Sequence, residues 1–153
     1  MVRGEILKGY RAAGGPAVLG YPSVDEKATP DGRGYVTGFE DGNIYWSPQT
    51  GARAVRGAIL QAYVATGATS GYLGFPTSSD APAPGGQGRM TSFEGGTVYW
   101  SAGIGAHVLR TALDAAYQAQ GGTTGSLGYP VSDTVVVSGR QQASFENGTL
   151  TAP

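Results

Sequence analysis

Apolar positions along this chain follow two rhythms that alternate three times. Val55, Ile59, Leu60 and Tyr63 fall at the i, i+4, i+5, i+8 spacing of one helical face, and Gly67 follows as a left-handed stop. Val108, Leu109, Ala112, Leu113, Ala116 and Tyr117 repeat the pattern and end at Gly121-Gly122. Ile6, Leu7 and Tyr10 give a first version that ends at Gly14-Gly15. Three helices of about three turns are expected.

Behind each helix stands Leu-Gly-aromatic-Pro: Leu19-Gly20-Tyr21-Pro22, Leu73-Gly74-Phe75-Pro76 and Leu127-Gly128-Tyr129-Pro130, 54 residues apart both times. The glycine permits a tight or positive-φ bend, and proline pushes the aromatic before it into extended backbone. Leucine and aromatic are expected to plug the core. A polar loop follows, richest in Pro and Gly at Ala81-Pro82-Ala83-Pro84-Gly85-Gly86.

Each copy then closes on a period-2 stretch broken by Asp41-Gly42, Gly95-Gly96 or Asn147-Gly148, dipeptides suited to a two-residue type I′ hairpin turn. With Asp41-Gly42 as the turn, Glu40 faces Asn43, Phe39 faces Ile44, Gly38 faces Tyr45 and Thr37 faces Trp46. Alternation then puts Phe39, Ile44 and Trp46 on one side and Glu40 and Tyr45 on the other; Phe93, Val98 and Trp100 against Glu94 and Tyr99 repeat this. The Phe/Ile/Trp side is expected to be core, and the Glu/Tyr side to be free for recognition. In the third copy Thr151-Ala152-Pro153 replaces Tyr-Trp-Ser.

The fold expected is α+β: three tandem helix–turn–β-hairpin repeats of about 54 residues (1–53, 54–106 and 107–153) in one domain, sharing a core as an arc or pseudo-threefold ring. One such unit is too small to be stable alone, so neighbours must support one another.

Composition narrows the function. Charged residues make up 14%, and the formal net charge is −1, so the Lys/Arg cluster that nucleic-acid phosphates require is missing. No apolar run approaches the roughly 18 residues of a membrane span. The chain has no cysteine, so disulfides, thiolate metal sites and Cys nucleophiles are excluded. Met1-Val2-Arg3-Gly4 leads straight into helical pattern, without the features of a signal peptide.

Flat aromatic rings beside hydrogen-bonding polar groups suit sugars, and a tyrosine carries both. Tyr45, Trp46, Glu40, Tyr99, Trp100 and Glu94 are therefore candidate ligand contacts. The alternative is structural: the tyrosines cover the next helix, the glutamates satisfy loop donors and the tryptophans pack in the core. Ser23 and Asp25, Thr77 through Asp80, and Ser132 and Asp133 follow each Leu-Gly-aromatic-Pro turn and suit local backbone capping. His107, the one histidine, takes the place of Arg53 one copy earlier, which hints at a basic side chain facing a ligand beside the alternative of capping or packing. Catalysis finds little support: there is no nucleophile elbow or phosphate-binding loop, and equivalent glutamates in separate units lack the unlike environments of an acid and a nucleophile. No cofactor or metal is expected.

Leu-Gly-[Phe/Tyr]-Pro, a Gly-rich loop, Phe-Glu-x-Gly-x-[Ile/Val]-Tyr-Trp-Ser and Gly-Ala-[His/Arg] together resemble the LGFP repeat family over essentially the whole chain. Members occur in exported proteins of mycolate-containing actinobacteria, beside mycoloyltransferase, amidase or other hydrolase domains. The resemblance implies a secreted, non-catalytic anchor in the cell envelope, attached to an enzyme domain and binding wall polysaccharide, with arabinogalactan the proposed target. A protein-interaction or spacer module is the alternative. Two junctions carry the complete motif: Tyr45-Trp46 with Arg53, and Tyr99-Trp100 with His107.

Overall fold

A computed structural model describes residues 4–152. Met1 to Arg3, on which the leader argument falls, and Pro153, the last residue of the third Tyr-Trp-Ser equivalent, lie outside them.

Three helices form, at α1 (Gly4–Ala12), α3 (Gly57–Ala65) and α4 (Thr111–Ala119), with a short α2 (Pro16–Leu19), but Val55, Val108 and Leu109, counted on the helical faces, fall in the strands that precede α3 and α4. Gly67 (φ 105°) and Gly121 (φ 101°) adopt the left-handed conformation that ends α3 and α4. Among the described residues no helix is long and apolar enough to cross a membrane.

The expected hairpins are only the inner half of each sheet. β1 (Pro22–Ala28), β2 (Tyr35–Phe39), β3 (Gly42–Ser47) and β4 (Gly51–Arg56) form an antiparallel meander. β5 (Ala81–Pro82), β6 (Gly88–Phe93), β7 (Gly96–Ser101) and β8 (Gly105–Arg110) repeat it, and β9 (Val135–Val137), β10 (Arg140–Phe145) and β11 (Gly148–Ala152) form a three-stranded version. β4 and β8 arise from the Gly-Ala-[Arg/His] stretches, read as leaders into the helices.

The turn also differs from expectation. Phe39 pairs with Gly42, Thr37 with Ile44, Val36 with Tyr45 and Tyr35 with Trp46, so Glu40-Asp41 makes the two-residue link. Neither residue has positive φ, which excludes type I′. Two backbone bonds hold the link to the Leu-Gly-aromatic-Pro segment: Glu40 N to Tyr21 O at 3.1 Å and Asp41 N to Leu19 O at 2.9 Å. Gly42 is required by close approach, since a Cβ there would lie 2.7 Å from the Val55 carbonyl oxygen; at Gly96 the Leu109 oxygen would be 2.2 Å away. The pairing partners move by two residues, one full strand period, so Phe39, Ile44 and Trp46 still share a face.

Helices and sheets alternate in layers. Ile6 and Tyr10 of α1 pack with Leu19, Phe39, Ile44 and Ala54 on one face of the first sheet. Ile59 and Tyr63 of α3 lie between that sheet's other face, at Tyr45 and Val55, and Phe93, Val98 and Val108 of the second. Leu113 and Tyr117 of α4 lie between Tyr99 and Leu109 on one side and Ala143, Phe145 and Ala152 on the other. There are thus three successive cores in place of the single shared one expected. Strands covered on both faces explain the adjacent buried pairs Ala54-Val55 and Val108-Leu109.

The loops after the second and third Leu-Gly-aromatic-Pro turns seal the last strand of the sheet before them. Ala54 N donates to Ser79 Oγ (3.1 Å) and Asp80 N to Ala54 O (2.8 Å). Val108 N donates to Asp133 Oδ1 (2.9 Å) and Thr134 N to Val108 O (2.8 Å). An open edge is thereby blocked. Ser79 and Asp133 thus bond the last strand of the preceding sheet, beyond the local capping expected of them. Ser78 and Ser132 stay within their own units, accepting from Ser92 N and Ser144 N at 2.9 Å each.

Candidate functional site

The tyrosine face is not open. Tyr45 is 4% exposed and Tyr99 1%. Each meets the next helix edge-to-face, Tyr45 on Tyr63 with ring centroids 5.1 Å apart and Tyr99 on Tyr117 at 5.3 Å. Burial pushes both phenols above their ordinary pKa. Tyr45 Oη accepts from Asn43 Nδ2 at 3.1 Å, whereas Tyr99 Oη donates to Asp114 at 2.5 Å and accepts from Gln118. The expectation of a free Glu/Tyr face is therefore corrected: α3 and α4 take that side of the sheets as their own core.

The glutamates are structural. Glu40 Oε1 accepts from Tyr21 N at 2.7 Å, Glu94 Oε1 from Phe75 N at 2.8 Å and Glu146 Oε1 from Tyr129 N at 2.8 Å. The glycine of each turn has positive φ (74°, 67° and 75°), and its missing Cβ makes room for the same glutamate. Glu94 also holds Arg33 of the first unit bidentately, at 3.0 and 2.8 Å. That guanidinium, through its hydrogen bonds, holds the Glu94 carboxyl below its usual range.

Register places Arg53 opposite Tyr45 and His107 opposite Tyr99, so the proposed junctions are real neighbours. Both basic groups are engaged locally. Arg53 Nε donates to Thr50 O at 2.9 Å, and His107 Nδ1 lies 3.2 Å from Asp133 Oδ1.

Trp46 and Trp100 remain. Both are half-buried at the border of the cores formed with α1 and α3, and each lines a cleft at the start of a helix. A cleft of about 250 Å³ is lined by Trp46, Tyr35 and Glu26 with Gly4, Glu5 and Ile6 of α1. Trp46 and Tyr35 form an aromatic shelf, ring centroids 6.0 Å apart and planes inclined 31°, with Tyr35 44% exposed. The second cleft, about 410 Å³, is built at equivalent positions. Trp100, Arg89 and Asp80 meet Gly57, Ala58 and Ile59 of α3, and Asp41 and Arg56 of the first sheet join them. Tyr35 pairs with Trp46 in the ladder as Arg89 pairs with Trp100. In the third unit Gln141 pairs with Ala152, and Gln141 Oε1 accepts from Leu113 N at 3.1 Å.

The reading of the sequence therefore missed Tyr35, Glu26, Arg89, Asp80 and Arg56. The signal available was period-2 alternation continued back from Phe39 through Thr37 to Tyr35, but the polar loop before β2 hid it.

The family model described as LGFP repeat matches residues 19–71 and 73–125, more than half of the chain. Each match runs from a Leu-Gly-aromatic-Pro turn through a sheet and the following helix. No curated protein matches the chain.

Proposed function

Because the chain belongs to the LGFP repeat family, a repeat module and not a catalytic family, we propose that it is a non-catalytic module that binds cell-envelope polysaccharide through its two tryptophan clefts. One observation carries this reading. Two successive units place a half-buried tryptophan, a polar or aromatic cross-strand partner and a carboxylate in the same cleft, at Trp46, Tyr35 and Glu26 and again at Trp100, Arg89 and Asp80. A ring presented beside hydrogen-bonding groups accepts the C–H face of a sugar while its hydroxyls are bonded.

Two clefts on one chain gain from linkage, since a second contact on the same polymer is intramolecular. In this proposal the units follow one another as an arc or ring, so that both clefts meet one polysaccharide strand. The module is secreted in an actinobacterial envelope, binds an arabinogalactan-like glycan and holds a linked enzyme domain on the wall.

The test is sedimentation of the protein with purified arabinogalactan and with peptidoglycan. Retention on the polysaccharide that is lost in folded Trp46→Ala/Trp100→Ala supports the reading. Absence of retention on both wall fractions rejects it in favour of a protein-interaction or spacer module.

A further inference from the structure

The two tryptophan clefts differ in chemistry. Rings and carboxylates line the first, at Tyr35, Trp46, Glu5 and Glu26, and among the described residues no arginine or lysine does. The second keeps the tryptophan but has Arg89 in place of Tyr35, and Arg56 lines it as well. Two guanidiniums share one acid there. Asp80 Oδ2 accepts from Arg89 Nε at 2.9 Å and Nη2 at 2.7 Å, and lies 3.9 Å from Arg56 Nη1. The Asp80 side chain is only 4% exposed, against 38% for Arg89 and 34% for Arg56. The acid is committed inside, and guanidinium faces solvent beside Trp100.

The start of α3 adds to this excess of donors. First-turn N–H groups of a helix lack intrahelical acceptors, and the N-cap residue Arg56 makes no side-chain cap. In the third unit Gln141 caps the equivalent Leu113 N. Arg89 holds that place in the second unit, and a guanidinium has no acceptor to offer. Nε of Arg56 is buried without a partner among the described residues. The other carboxylate in the lining is Asp41, exposed on the β2–β3 turn.

We infer that the second cleft takes an acidic group on the glycan, a carboxylate or a phosphate, held by Arg56, Arg89 and the start of α3 with its sugar ring against Trp100. This rests on the glycan-binding reading above. Arginine forks match carboxylate and phosphate oxygens, and such charge-assisted bonds are roughly twice as strong as neutral ones.

In Trp46→Phe, Trp100 is the one tryptophan left, so its fluorescence reports the second cleft alone. Galactotriose, trigalacturonate and a phosphorylated galactotriose serve as probes. At least one acidic sugar is expected to bind about tenfold or more tighter than the neutral one at low salt, with the gap narrowing as salt rises; the tighter of the two identifies the source of the acid. Asp41→Asn strengthens the acidic sugar. Asp80→Asn/Arg89→Tyr, which brings in the tyrosine of the first cleft without stranding a buried charge, narrows the preference and keeps the neutral trisaccharide, its fold checked by thermal unfolding. Equal affinity for acidic and neutral sugars overturns the inference and leaves the glycan reading standing. A preference that the double substitution leaves undiminished also overturns it, and failure of all three sugars to bind removes both.

Discussion

The Tyr63 hydroxyl donates to the Gly74 carbonyl at 2.6 Å, tying a helix to the turn that follows it. The same bond recurs from Tyr10 to Gly20 at 2.9 Å and from Tyr117 to Gly128 at 2.5 Å. Each of these tyrosines also stacks on the phenylalanine of its own unit: Phe39, Phe93 or Phe145. Tyr63→Phe keeps the ring and loses the bond, so thermal unfolding is expected to show a cost of about 1 kcal/mol. Tyr63→Ala also empties a fully buried site and is expected to cost about 3–5 kcal/mol, the range for large aromatic truncations.

Gly74 has a second constraint. Its φ is 67°, and a Cβ there would lie 2.5 Å from Glu94 Oε1 and 3.2 Å from Glu94 Cβ. Gly86 has φ 75° with nothing within 4 Å of a Cβ. Gly86→Ala is expected to cost about 1 kcal/mol, the left-handed strain alone. Gly74→Ala adds displacement of the glutamate clamp, and urea unfolding is expected to show it at least about 1 kcal/mol worse than Gly86→Ala.

The Arg33–Glu94 pair joins the first two units and makes their stability pH-dependent. Glu94 has a folded pKa below its unfolded value, held down first by its hydrogen bonds from Arg33. Its contribution is therefore complete above the unfolded carboxyl range near pH 4.5 and disappears as pH falls through the lower folded value. Urea midpoints of wild type and Arg33→Gln should differ most at neutral pH and converge below about pH 4. A constant gap down to pH 2 would show that the ion pair contributes nothing.

At the alkaline end the buried phenols act in the opposite sense. Burial raises the pKa of Tyr63, Tyr99 and Tyr117 above the ordinary 10.0. Their share of stability is intact below that value and is lost as pH climbs beyond it. A spectrophotometric titration is expected to show these three ionising only together with unfolding.

Neighbouring residues on β3 should separate binding from packing. Tyr45→Phe loses one bond from Asn43 and leaves the glycan clefts untouched, so retention on polysaccharide should match wild type. Trp46→Ala removes half of the Tyr35–Trp46 shelf and should weaken retention without a comparable loss of stability, since Trp46 is only half-buried. Equal loss in both variants would place the ligand on the tyrosine side.

The sequence by itself determined the three units, their helices with left-handed glycine stops, the Leu-Gly-aromatic-Pro turns and the sharing of a face by Phe39, Ile44 and Trp46. All of these follow from local chemistry or from a periodicity that survives a two-residue slip. The type I′ turn was misread because Gly42 and Gly96 answer to a neighbouring carbonyl, a contact between strands that no dipeptide reveals. β4 and β8 were missed because their buried pairs, Ala54-Val55 and Val108-Leu109, break strand alternation, and Val55, Val108 and Leu109 fit the spacing of the helix that follows. What only the tertiary structure decided is which face stays open. A sheet read alone has one side for the core and one for water, whereas here each of the first two sheets lies between two helices, so Tyr45 and Tyr99 are sealed. Aromatic rings line clefts instead at Tyr35 and Trp46 and at Trp100, beside the helix starts, at ladder positions that Gln141 and Ala152 hold in the third unit.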